Sequence, residues 1–188
     1  MFTRMFKKKD THKNYDALAA QLYRAALTQA RTPVFYERYG VPDSFDGRFD
    51  LLLVHIFLIL HSMMDKDDYE DIAQSLFDET FKDMDQVLRE MGIGDMGVPK
   101  HMRRMMKAFN GRMHAYQYAI APQSLEKHKI DGLARKSLKE ALLSNLYGTT
   151  NATNEHLELM EAYMLYNAEN LDITNNGNVT FKINRRKT

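Results

Sequence analysis

The sequence predicts an all-α protein: a single compact domain of about six to seven helices with a possible short C-terminal strand. Three observations predict it. Apolar residues recur at helical spacing along most of the chain, only four prolines interrupt it, and β-type alternation is confined to the final stretch NVTFKI. A chain of 188 residues buries roughly 70% of its unfolded surface without a covalent staple. There is no cysteine, so disulfides, thiolate nucleophiles and Cys-based metal sites are all excluded.

Each element has its own signals. Tyr15 to Ala30 reads as a first helix with Leu18, Leu22, Ala25 and Ala26 on one side. Pro33 suits the opening turn of a short helix to Tyr39, closed by Gly40. After the Val41-Pro42-Asp43 turn, Ser44 or Asp46 can cap a third helix carrying Phe49, Leu52, Leu53, Ile56, Phe57 and Leu60. Apolar on most sides, it is the predicted centre of the fold. Asp67 and Asp68 open a fourth helix whose stripe runs Ile72, Ala73, Leu76, Thr80, Met84, Val87, Met91, ending at Gly92 and Gly94. A fifth starts at Gly97-Val98-Pro99 and stops at Pro122; a sixth spans Ile130 to Leu146 and a seventh Glu155 to Leu171. The expected organisation is a flexible basic N-terminus over 1–14, a helical domain over 15–174 with a weak seam at 122–130, and a tail over 175–188 whose RRKT end is loose.

The most apolar run, Leu51 to Leu60, contains ten residues, about half of what a bilayer span needs. The opening MFTRMFKKKD has neither an apolar signal core nor a small-residue cleavage site. A net charge of +1 is not that of a nucleic-acid binder, and DNA is not an expected partner.

The fifth helix is the most informative stretch. Met102, Met105, Met106, Phe109, Met113 and Tyr116 fall within about 100° of one another on a helical wheel, opposite Lys100, Arg103, Arg104, Lys107 and His114. A basic amphipathic helix of this kind suits an anionic membrane surface, ribosomal RNA or an acidic partner; it equally suits a core-facing stripe beneath a solvated charged face. Thirteen methionines fit either irregular core packing or an adaptable client surface. The fourth helix is acidic, with Asp83 at the edge of its apolar stripe needing a partner from Arg48, Arg89 or Arg112, and Asp85 paired with Arg89 at i, i+4.

Catalytic patterns are missing. No Glu is followed three residues later by His, so a di-metal bundle site has no ligands, and His55 and His61 lie on poorly matched faces. No nucleophile elbow, phosphate-cradling loop or dinucleotide fingerprint occurs. The sequence calls for no catalytic residue, no metal and no cofactor.

Two long segments, YGVPDSFDGRFDLLLVHIFLILH (39–61) and LFDETFKDMDQVLREMGIGDMGVPKHMRRMMKAFNGR (76–112), carry a VPD turn, a GRF-type helix start, an LFD…DMD…LREMGxGD block, VPK and an AF-x-GR close. In these the chain resembles the ubiquinol–cytochrome c chaperone family over roughly residues 20–121, and only loosely over 122–188; Asn110 stands where an aromatic is common. The resemblance implies a non-enzymatic helical assembly factor that attends newly made cytochrome b for respiratory complex III. It implies possible contacts with a small partner subunit, the ribosome and, peripherally, the inner membrane. The longer N-terminal extension of mitochondrial relatives is missing, so a bacterial cytoplasmic form is expected, or the matrix side if eukaryotic. The motif positions carried over are Asp43, Asp46, Gly47, Arg48, Asp83, Asp85, Arg89, Glu90, Asp95 and Arg112. The expected client surface is Lys100, Met102, Arg103, Arg104, Met105, Met106, Lys107 and Phe109 with the adjoining loop 92–99. A carrier of quinone, haem or lipid, and a ribosome- or RNA-binding module, stand as alternatives.

Overall fold

Turn residues divide the chain where the sequence places them. The computed structural model describes residues 15–121 and 137–183, and within these lie α1 (Asp16–Ala30), α2 (Val34–Glu37), α3 (Phe45–Ser62), α4 (Tyr69–Glu90), α5 (Val98–Ile120), α6 (Leu138–Asn145) and α7 (Asn154–Asn170), followed by β1 (Asp172–Ile173) and β2 (Val179–Thr180). The expected N-terminal arm, the 122–130 seam and the RRKT end lie outside the described residues.

The centre is α3, as its composition predicts. Every residue from Phe49 to Leu60 is buried, and the helix packs against α1, α5 and α7, while contacts run in sequence through α1, α4, α5, α6 and α7 around it. Ser44 caps it, its Oγ accepting from Gly47 N at 3.1 Å. On α4 the predicted stripe holds through Met84 but then shifts: Leu88 is buried, Val87 is only partly covered and Met91 is 55% exposed. Phe77, Phe81, Met84 and Leu88 continue the buried face at helical spacing, so Met91 falls beyond the end of the packing.

Residues 130–136 of the predicted sixth helix, Ile130–Leu146, lie outside the described residues, and the described helix is α6. It starts at Leu138, because Ser137 and Glu140 form a capping box in which each side chain reaches the other residue's backbone N–H. Thr153 and His156 close the start of α7 in the same manner. The NVTFKI stretch does pair: Val179 and Thr180 run antiparallel to Ile173 and Asp172, across a turn in which Gly177 has φ +75°. Asn167 then clasps the following segment, its Oδ1 accepting from Lys182 N at 2.9 Å and its Nδ2 donating to Lys182 O at 3.0 Å.

A buried polar chain crosses three helices beneath that segment. Gln29 donates to the Tyr163 hydroxyl at 3.3 Å, and Tyr163 lies 2.9 Å from His55 Nε2. His55 Nδ1 lies 2.8 Å from Leu51 O, a partner that can only accept. The imidazole therefore carries its proton on Nδ1 and accepts from Tyr163 at Nε2. Phe35 and Phe181 meet the imidazole edge-on at 5.3 and 5.0 Å.

Candidate functional site

Three features meet around α5: its stripe, its charged face and the loop that leads into it. Met105, Phe109, Met113 and Tyr116 are buried, with Phe77 and Phe81 packed on Phe109 at ring distances of 5.2 and 5.8 Å. Met102 and Met106 are half-buried at the core's edge. The four apolar residues expected at a client surface are thus divided: Met105 and Phe109 stand in the core, and only Met102 and Met106 reach the surface. The stripe faces inward because α3 and α4 bury it.

On the outer face Lys100, Arg103, Arg104 and Lys107 are all exposed. Arg104 approaches Asp46 at 3.5 Å, with both side chains about three-fifths exposed; such a contact contributes well under 1 kcal/mol. Lys100, Arg103 and Lys107 make no ion pair among the described residues.

The loop between α4 and α5 is held in place from one side. Arg89 donates to Asp85 at 2.7 Å and to Asp95 at 2.6 Å, so the predicted i, i+4 pair also ties the loop to its helix. The two carboxylates raise the Arg89 guanidinium above its ordinary pKa. Beyond this brace Met96 is 96% exposed and Met91 55%. Glu90 accepts from Gln86 at 2.8 Å.

The remaining motif residues brace the start of α3 and the face of α4. Arg48 donates to Asp43 at 2.5 Å and lies 5.7 Å from the Tyr36 ring centre; its guanidinium holds the Asp43 carboxyl below the usual carboxylate range. Gly47 has no room for a side chain, since a Cβ there would stand 2.1 Å from Pro42 O. Asp83 takes none of the three expected arginines. Its partner is the Tyr23 hydroxyl, which donates at 2.6 Å, because α4 packs on α1 and the arginines are engaged elsewhere. Burial and this carboxylate push the Tyr23 phenol far above its ordinary value.

Arg112 engages Asp50, a residue the motif reading passes over. Its Nε and NH2 donate to the two carboxylate oxygens at 2.9 and 3.3 Å, and Asp50 is only 8% exposed. Burial raises the Asp50 carboxyl above its ordinary value, and Arg112 opposes that shift. A carboxylate set between Phe49 and Leu51 on the most apolar helix signals in sequence that it needs such a partner. The pair lies in a solvent-open groove of about 570 Å³, lined from α3, α5 and the end of α6, whose wall also includes Asp46, Arg104, Lys107 and Gly111. The groove therefore draws together five of the predicted residues: Asp46, Arg104, Met105, Lys107 and Arg112. It does not include the loop methionines, Asp83 or Asp43. Among the described residues no three His, Cys, Asp or Glu side chains are grouped to hold a metal, and no helix is long and apolar enough to cross a membrane.

Comparisons with known proteins bear on the family and the fold. Residues 37–178 match the family model described as ubiquinol-cytochrome C chaperone, so the likeness runs well beyond residue 121, where the resemblance read from sequence becomes loose. The crystal structure of the Cbp3 homolog from Brucella abortus is similar over nearly the whole length, with 30% identity, 97% of each chain covered and a TM-score of 0.67. No curated protein matches the chain. Three-quarters of its length fits the family model and its fold is that of the Brucella protein, so the chain belongs to the ubiquinol–cytochrome c chaperone family.

Proposed function

We propose that this chaperone of the cytochrome b–c complex takes newly made cytochrome b as its client, through the α4–α5 loop and the adjoining start of α5 at Lys100 and Arg103. The observation that carries the reading is the exposure of Met91 and Met96 beside Lys100 and Arg103, cations that make no ion pair among the described residues. Methionine side chains are unbranched and polarizable, so they adapt to varied apolar partners. Arg89 holds the loop by Asp95 and leaves the neighbouring methionine in solvent, where a client segment can reach it. Met102 and Met106, half-buried one turn further on, extend the apolar surface toward the core.

In this reading the protein works from the cytoplasmic face of a bacterial inner membrane, or the matrix face in a mitochondrion. It holds its client by contact, without catalysis or a cofactor, and a small partner subunit and the ribosome are its further contacts. The test is recovery of cytochrome b with the tagged chain from detergent-solubilised native membranes, at low and high salt. Met91→Ser with Met96→Ser should lower recovery at both salts, whereas Lys100→Glu with Arg103→Glu should lower it mainly at low salt, where charge attraction is least screened. Undiminished recovery in both variants would move the client to another surface. No cytochrome b in either salt, together with normal complex III in a deletion strain, would remove the client reading altogether.

A further inference from the structure

We infer that the groove between α3, α5 and α6 docks a helix from a second protein, one with a small-residue face and acidic flanks, at a surface separate from the client loop. Gly111 carries the argument. It sits inside α5 and is exposed, and a Cβ built on it would meet nothing within 4 Å. A helix-interior glycine costs about 1 kcal/mol relative to alanine, and no contact within the described fold calls for it. A bare backbone lining an open groove allows another backbone to come close.

The rest of the groove suits the same occupant. Ala108 and Gly148 are also small, and Phe49 and Met105 supply an apolar floor. From Arg104 to Arg112 the α5 wall runs about 12 Å, or just over two turns, and a trough between helices receives a third by ridge-into-groove packing.

Charge selects the flanks. Asp50 and Arg112 satisfy each other at the floor. Lys107 has no acidic partner among the described residues, and Arg104 touches Asp46 only at 3.5 Å in solvent. Two cations thus face an incoming carboxylate. Asp46 and Asp50 in the same wall disfavour a nucleic-acid backbone, whose phosphates would have to pass them.

The probes are two fluorescein-labelled model helices of about 18 residues, five turns. Both carry the same Ala/Leu stripe, one flanked by Glu and the other by Lys, and anisotropy reads their binding to the full chain at low salt. The Glu-flanked helix should bind about tenfold more tightly than the Lys-flanked one, a difference of about 1.4 kcal/mol. Gly111→Gln should weaken it by at least about that factor while the thermal midpoint stays level or rises, because Gln is the better helix former. Lys107→Glu should invert the preference, and Met96→Ser should leave it unchanged. Equal affinity for the two helices, binding of neither, or full binding by Gly111→Gln would overturn the inference. Loss of binding in Met96→Ser would overturn the separation of the two surfaces. Cytochrome b recovery with the Gly111→Gln chain reads the client proposal independently, since that variant leaves the loop intact.

Discussion

Asp50 shows how one side chain joins the centre of the fold to its surface. It lies on α3, where Phe49 and Leu51 beside it are buried, and its carboxylate survives there because Arg112 reaches it from α5 with two hydrogen bonds. Breaking a largely buried pair from one side leaves a charge without compensation and costs about 3 kcal/mol, more than the intact pair contributes. Arg112→Met should therefore lower the urea midpoint by that order, and Arg112→Met with Asp50→Leu should recover part of the loss. A double variant as unstable as the sum of the singles would show that the two side chains do not couple. The need for a partner at Asp50 is legible in sequence, as an acid between two apolar neighbours on an apolar helix. Its identity is not, because pairing across helices depends on how α3 and α5 cross. Asp83 teaches the same lesson from the other side: three arginines were candidates, yet a tyrosine hydroxyl from α1 reached it first. Formal charge names the groups that need partners, and packing chooses among them.

At the scale of elements, punctuation was the readable part. Ser44, Gly40 and Pro99 delimit structure where the sequence places them, because each acts within one turn of chain. Periodicity was readable only to the extent that packing continues. The stripe of α4 was right until its last two members, where the neighbouring core gives out and Met91 emerges. The α5 stripe could have faced core or client; it faces the core at Met105 and Phe109, and the exposed methionines are in the loop instead. The start of α6 at Leu138 is carried in sequence by the Ser137-Leu138-Lys139-Glu140 box, a local signal that a helix read from Ile130 passes over. That box should contribute measurably. Ser137→Ala removes the acceptor for Glu140 N and should cost about 1 kcal/mol, a fall of roughly 2–4 °C in thermal midpoint for a chain of this size. Ser137→Asp, which restores an acceptor at the cap, should return most of it. An unchanged midpoint in Ser137→Ala would mean that α6 is held by its packing alone.

The whole molecule carries its charge unevenly: α4 is acidic along its outer face, α5 is basic, and the total of +1 conceals both. What composition did not reveal is where protonation bears on folding as such. The sensitive group is His55, fully buried and hydrogen-bonded on both ring nitrogens. Phe35, Tyr163 and Phe181 surround it, and burial pushes its pKa down from 6.5 to about 3. The unfolded chain binds a proton at this residue near pH 6.5, and the folded chain does so only near pH 3. Between those values the unfolded state holds the extra proton, so stability rises with pH and is lost as the solution is acidified. The contribution is fully present above about pH 6.5 and declines by up to ~1.4 kcal/mol per pH unit below it. His114, which burial also shifts downward, and Asp43, held low by Arg48, act with the same sign, Asp43 only as pH falls through the carboxylate range. Urea midpoints of the native chain should therefore fall steadily from pH 7 to pH 4.5. In His55→Phe the midpoint at pH 7 should be lower, because Tyr163 loses its acceptor, but its fall with acid should be shallower by about one proton's worth. If the two proteins lose stability in parallel, the imidazole is not the group that senses acid, and the decline belongs to carboxylates at the surface.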